Sequence, residues 1–149
     1  MTAQGIAVLT VVTASDVFEP SAGNPFATPG NDLLLTTTVN NVGNGSTDAD
    51  SIFAVVSINP ANAFLNAVTS ALSGVVGFNS ASPGLTFNPA NDLRFSNAAQ
   101  APTAFAQCTY TPVAGYDPQV RHVCLNPKGT LPTGSPQSTF NVRVRVRVQ

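Results

Sequence analysis

The chain has 149 residues, a formal net charge of −1 and a charged fraction of 9 %, where about one quarter is usual. That length suits one domain with a sizeable core, and a hydrophobic fraction of 43 % in well-patterned runs argues against disorder. So little charge excludes the broad basic surface of a typical nucleic-acid binder and leaves Thr, Ser, Asn and Gln to supply the polar surface.

The charge is sorted along the chain. Asp16, Glu19, Asp32, Asp48, Asp50 and Asp92 precede every base, and Asp117 is the only acid among Arg94, Arg121, Lys128, Arg143, Arg145 and Arg147. A near-neutral total thus hides an acidic part and a basic edge. Twelve prolines and eleven glycines punctuate the sequence, and short runs of strand composition lie between them.

The first run, Ile6–Thr13, reads as a strand. Ile6, Val8 and Val12 would occupy one side, and Leu9 and Val11 the other. A strand apolar on both faces is central, or is covered by another element or another chain. We therefore expect residues 1–14 to form an N-terminal strand that is open to exchange with a neighbouring subunit. Met1-Thr2-Ala3-Gln4 lacks a basic start, and Ile6–Val12 is too short for an export signal's apolar stretch or a membrane span. A secreted reading therefore expects a mature form.

Leu33–Asn40 places Leu33, Leu35, Thr37 and Val39 on one face and Leu34, Thr36, Thr38 and Asn40 on the other, a half-buried strand. Ser51–Ile58 is apolar on both faces, with Phe53 and Val55 opposite Ile52, Ala54, Val56 and Ile58. The next stretch breaks the alternation. Phe64, Val68, Ala71, Leu72 and Val75 fall at helical spacing, which predicts a short helix over 62–72 with Asn62 as N-cap and Gly74 as its stop. Further strands are expected at Leu85–Phe87, Leu93–Ser96, Ala104–Thr111 and Val120–Asn126. Asn-Pro-Ala-Asn occurs at 59–62 and again at 88–91, as two similar turns.

Cys108 and Cys124 lie in two of these runs. If the runs form a hairpin centred on Tyr116, the cysteines are directly opposed and within disulfide range, with Tyr110 facing His122. The alternative is two buried thiols; two Cys and one His are too few for a metal site. A disulfide would close a loop of about 15 residues, contribute about 3 kcal/mol and imply an oxidising compartment.

The last strand, Thr139–Val148, has the clearest pattern. Val142, Val144, Val146 and Val148 alternate with Arg143, Arg145 and Arg147, a period that only a strand can use. One face is made for a core and the other for water or for something negative.

Catalytic chemistry finds little support. His122 is the only histidine and Glu19 the only glutamate. No Gly-x-Ser-x-Gly is present, and the carboxylates are scattered among turns. The expectation is a non-enzyme without cofactors. Asn44, Asp48 and Asp50 form an oxygen-rich turn, a weak calcium candidate without the further ligands of a recognised loop; turn residues capping their own backbone are the stronger reading. Glycan binding would use exposed aromatics, for which Phe18, Phe26, Tyr110 and Tyr116 are the candidates.

Residues 27–62 carry a family resemblance. Pro29-Gly30-Asn31-Asp32, the Thr/Val strand through Val39, Asn41-Val42-Gly43-Asn44-Gly45 and the Ile58-Asn59-Pro60-Ala61-Asn62 turn resemble the immunoglobulin-like repeats of bacterial surface proteins known as domain of unknown function 11. The closing Phe140–Val148 strand is similar to that family's last strand. Together these cover roughly a third of the chain, through turn and strand motifs only. Three departures are the Ser57-Ile58-Asn59-Pro60 turn, where the family has Asp-x-Leu/Ile-Pro, the helical stretch and the cysteine hairpin. The resemblance implies an immunoglobulin-type β-sandwich in an exported surface or fibrous protein, and no catalytic residues.

The expectation is therefore an all-β chain. It forms a single immunoglobulin-like antiparallel sandwich over residues 1–149, with one short helical segment. It acts as an extracellular or cell-surface structural subunit that assembles with itself, without nucleic acid and without membrane insertion. The interface would use Ile6, Val8 and Val12, with Asp16, Glu19, Asp32, Asp48 and Asp50 set against Arg143, Arg145 and Arg147, opposed charge fixing direction. The competing reading is a monomeric adhesion or carbohydrate-binding module.

Overall fold

The computed structural model describes residues 8–16, 28–66, 76–80 and 84–149. These form eleven strands: β1 (Val8–Asp16), β2 (Asp32–Asn41), β3 (Ala54–Ser57), β4 (Ala63–Asn66), β5 (Val76–Ser80), β6 (Leu85–Thr86), β7 (Leu93–Ser96), β8 (Tyr116–Asp117), β9 (His122–Leu125), β10 (Lys128–Gly129) and β11 (Thr139–Val148). One helical turn, α1 (Pro89–Asp92), and a 3-10 turn at Phe105–Gln107 complete them. All strand pairings among the described residues are antiparallel.

The large sheet runs β1-β2-β11-β4-β8, with β5 also on β11. β11 is its centre. It pairs along nine positions with β2 on one edge, and with β5 and then β4 on the other. The sequence pattern explains this placement, because only a strand with an uninterrupted apolar face can be buried in the middle of a sheet. Phe140, Val142, Val144 and Val146 are all at most 1 % exposed, and the intervening Asn141, Arg143, Arg145 and Arg147 are half-buried on the other face. β2 matches in register, Leu33 beside Val146 and Val39 beside Phe140.

A three-stranded sheet, β3-β9-β7, lies across the core. Val56, Val123 and Leu125 are buried into it, with Leu93 and Phe95 packed against the same cluster. The core also holds Leu65, Val76, Val120 and Leu131. Phe78 stacks on Phe87 at 4.8 Å and on Phe140 at 5.5 Å between ring centroids. Burying a ring such as Phe140 stabilises the fold by roughly 3 kcal/mol.

Several sequence expectations need correction. Ala63–Asn66 is strand β4, not the start of a helix; the rest of that expected helix, from residue 67 to 72, lies outside the described residues. The sequence there suits a short strand equally well, with Leu65 buried and Ala63 packed against the core on the same face. The helical turn falls instead on the second Asn-Pro-Ala-Asn. The two copies form the same turn. The Oδ1 of Asn59 accepts from Ala61 N at 3.0 Å and that of Asn88 accepts from Ala90 N at 3.1 Å. Each Asn carbonyl then accepts from the third and fourth residues on.

The expected cysteine hairpin does not form. β7 takes the place beside β9, pairing Phe95 with Val123 and Ser96 with His122. Tyr110 makes only an isolated bridge to Phe95, and Ala104–Thr111 is mostly irregular around its 3-10 turn. Leu93 and Phe95 offer the core a cleaner alternation than a run that contains Gln107 and Thr109. The cysteines meet nevertheless. Cys108 and Cys124 are disulfide-bonded with Cα atoms 6.5 Å apart. They meet because the 97–112 segment folds over the outer face of the small sheet.

Candidate functional site

The outer face of the large sheet concentrates the polar chemistry. The β2–β11 register sets Arg147 opposite Asp32, Arg145 opposite Leu34 and Arg143 opposite Thr36. Opposed residues of an antiparallel pair share a face, so Asp32 emerges beside both Arg145 and Arg147. Asp32 accepts from Arg145 Nε at 2.9 Å and from Arg147 Nε at 2.9 Å, and Arg145 Nη2 also reaches it. β8 supplies the fourth member. Tyr116 donates its hydroxyl to Asp32 at 2.5 Å, and Arg147 stands over the Tyr116 ring, 3.9 Å from its centroid.

Asp32 is only 8 % exposed. Burial opposes its ionisation most strongly. Hydrogen bonds from Arg147, Tyr116 and Arg145, with the charge of Arg145, overcome that opposition and hold its carboxyl below the ordinary value of 3.8. Tyr116 is raised above its ordinary value, first by burial and then by the adjacent carboxylate. The cluster is one anion shared by two cations and a phenol. It ties the start of β2, the end of β11 and β8 together.

Of the expected interface residues, Arg145 and Arg147 meet a carboxylate of their own chain, Asp32. Arg143 has no hydrogen-bond or ion-pair partner among the described residues. Val8, Val12 and Asp16 lie in β1, which pairs with β2 of its own chain from Val8↔Asn41 to Asp16↔Leu33. Ile6 and Glu19 lie outside the described residues, as do Phe18 and Phe26.

His122 does not face Tyr110. It sits on the outer face of the small sheet between Ser57 and Ser96 and is 6 % exposed. One ring nitrogen, Nε2, lies 3.1 Å from the carbonyl of Ala98. A carbonyl only accepts, so Nε2 carries a proton and donates there, while Nδ1 lies 3.0 Å from Ser57 Oγ. The two contacts join β3 to β9 and anchor the 97–112 segment. Tyr110 donates its hydroxyl to Asp117 at 2.9 Å. Tyr110 and Tyr116 are thus both half-buried with their hydroxyls committed within the chain.

In the oxygen-rich turn, Asp50 accepts at Oδ1 from Gly129 N–H at 2.6 Å, while its own N–H donates to the Gly129 carbonyl. Among the described residues, no group of three His, Cys, Asp or Glu side chains is placed to hold a metal ion. The Asn41-to-Gly45 turn is organised by Asn41, which is 1 % exposed. Its amide donates to Gly45 O at 2.8 Å and Leu131 O at 3.1 Å, and its Oδ1 accepts from Gly43 N–H at 3.0 Å. Among the described residues, no helix is long and apolar enough to cross a membrane.

The Asp32 cluster and the Ser57–His122 bond escape a reading of single segments. Their signal is long-range register: once β2 is set against β11, and β3 against β9, each partner follows. Comparison with known proteins adds no relative, since no family model, curated protein or solved structure matches the chain.

Proposed function

We propose that this chain is an extracellular structural subunit that assembles with itself through β-strand edges. The observation that carries the reading is β1. It is nine residues long and closes one end of the large sheet, and no described strand pairs with its outer edge. Its sequence, Val-Leu-Thr-Val-Val-Thr-Ala-Ser-Asp, has no proline and no charge before Asp16. Soluble monomers usually blunt such an edge with Lys, Pro or a bulge, because its free N–H and C=O groups template further strands. Here the row is left long and uncharged.

Two further features support the reading. β1 is held to its chain by a single ladder, to β2, and the connection from Asp16 to Asp32 can span about 50 Å when extended. The β2 edge can therefore be completed by a neighbour's β1 as readily as by its own. Among the described strands β3 pairs with β9 alone, so its other side offers a second and different edge. Contacts between unlike edges are head-to-tail, and where they do not close into a ring they generate filaments. The Cys108–Cys124 disulfide fits an oxidising location outside the cell.

Sedimentation velocity on the non-reduced protein over a broad concentration range tests this. A mass that grows with concentration supports it; a single-chain mass throughout removes it.

A further inference from the structure

We propose that the groove around Arg143 receives the Asp48 carboxylate of a second copy of this chain; the inference rests on the self-assembly reading above. The groove encloses about 520 Å³ and is lined by Arg143, Asn141, Gly77, Asn79, Phe87 and Pro89, among others. Gly77 is the β5 residue directly opposite Arg143, so that position brings no side chain over the guanidinium. Asn79 and Asn141 line the same groove, and an amide there can turn its N–H toward an anion.

Among the described side chains, Asp32 is bound by Arg145, Arg147 and Tyr116. Asp50 accepts from Gly129 N–H, Asp92 from Asn88 N–H, and Asp117 from Tyr110, Val113 and Gln119. Asp48 is exposed, and its carboxylate has no such partner among the described residues. Of the bases, Lys128 faces Asp92 and Arg94 stacks on Phe105, 4.6 Å from its centroid. Arg121 and Arg143 remain, and of these Arg143 lies in the groove.

Arg143 also stands two residues from Arg145 on the same strand face, about 6.5–7 Å away along the strand. With Arg147, that face carries three cations against one Asp32. A carboxylate delivered to Arg143 relieves this excess, and a bidentate guanidinium–carboxylate contact sets orientation as well as attraction. The groove walls partly exclude water, so the contact is screened less than an open surface pair.

Charge reversal tests the pairing. Arg143→Glu and Asp48→Lys are made singly and together, with Arg143→Gln as a milder variant, and folding is checked by circular dichroism and by the intact disulfide. Association is followed by sedimentation at low salt. Each single reversal is expected to raise the concentration for half-maximal association by at least about tenfold, Arg143→Gln by less, and the double reversal to return it toward wild type. If wild type associates and Arg143→Glu associates equally well, the inference falls and the structural-subunit reading stands. If the singles weaken association but the double does not recover it, Asp48 is not the partner and the inference falls. If wild type stays a single chain, both fall.

Discussion

The guanidinium of Arg147 stands 3.9 Å from the centroid of the Tyr116 ring, and both side chains converge on the carboxylate of Asp32. Three elements far apart in sequence are thereby pinned at one point of the large sheet. That point adjoins the chain's exit from β2 toward β1, where Gly30 N–H also bonds to Val148 O at 2.8 Å. The cluster therefore anchors the start of β2, which the chain enters from β1.

Asp32→Asn removes the only described anion between two arginines. Breaking a buried pair costs about 3–5 kcal/mol. Arg147 is 44 % exposed and water compensates part of the loss, so about 2 kcal/mol is expected by denaturant titration.

Acid should expose the same cluster. The folded pKa of Asp32 is depressed, so the unfolded chain takes up its proton first as pH falls. Its contribution is present above 3.8 and is lost as pH drops through the lower folded value. Urea titrations from pH 6 downward should show this loss in the wild type, and a shallower acid limb in Asp32→Asn.

Reducing the Cys108–Cys124 bond, which spans 16 residues in sequence, should cost about 3 kcal/mol. The loss should be local at first. The 97–112 segment covers the small sheet through this bond and the Ala98–His122 contact, so hydrogen exchange there should accelerate before that of β11.

Asn41→Ala removes a buried amide that serves Gly45 O, Leu131 O and Gly43 N–H. Leaving these groups unpaired should cost about 3 kcal/mol in thermal or denaturant unfolding. Gly129→Ala should also destabilise, by about 2–3 kcal/mol. Gly129 has φ +104° and its added Cβ would overlap the Gly84 carbonyl.

How much of this was legible depends on pattern length. β2 and β11 were readable nearly to the residue, because an unbroken period of two leaves one solution. The two faces of β2 fall as the alternation of Leu33, Leu35, Thr37 and Val39 requires. β4 was not readable: Phe64 and Leu65 fit a helix and a strand alike, and pairing with β11 decides. β8 and β10, of two residues each, are too short to have a period. A hairpin centred on Tyr116 predicts the disulfide, whereas the proximity of Cys108 and Cys124 arises from a covering segment. Asp32 reads as one acid of a turn in the sequence, and its partners follow only from the β2–β11 register.

Edge association should be sensitive to one charge in β1. Thr13 is exposed. Thr13→Lys should change single-chain stability by no more than about 0.5 kcal/mol, yet weaken self-association by putting a charge on the edge strand. Equal association of the variant and wild type, measured by sedimentation, would remove β1 from the interface.

Electron microscopy of the purified, non-reduced chain, negatively stained across a concentration series at low and high salt, tests the central claim most directly. Ordered filaments are expected at high concentration, fewer or shorter at high salt where the Arg143 contact is screened. Dispersed particles of single-chain size under every condition would contradict it.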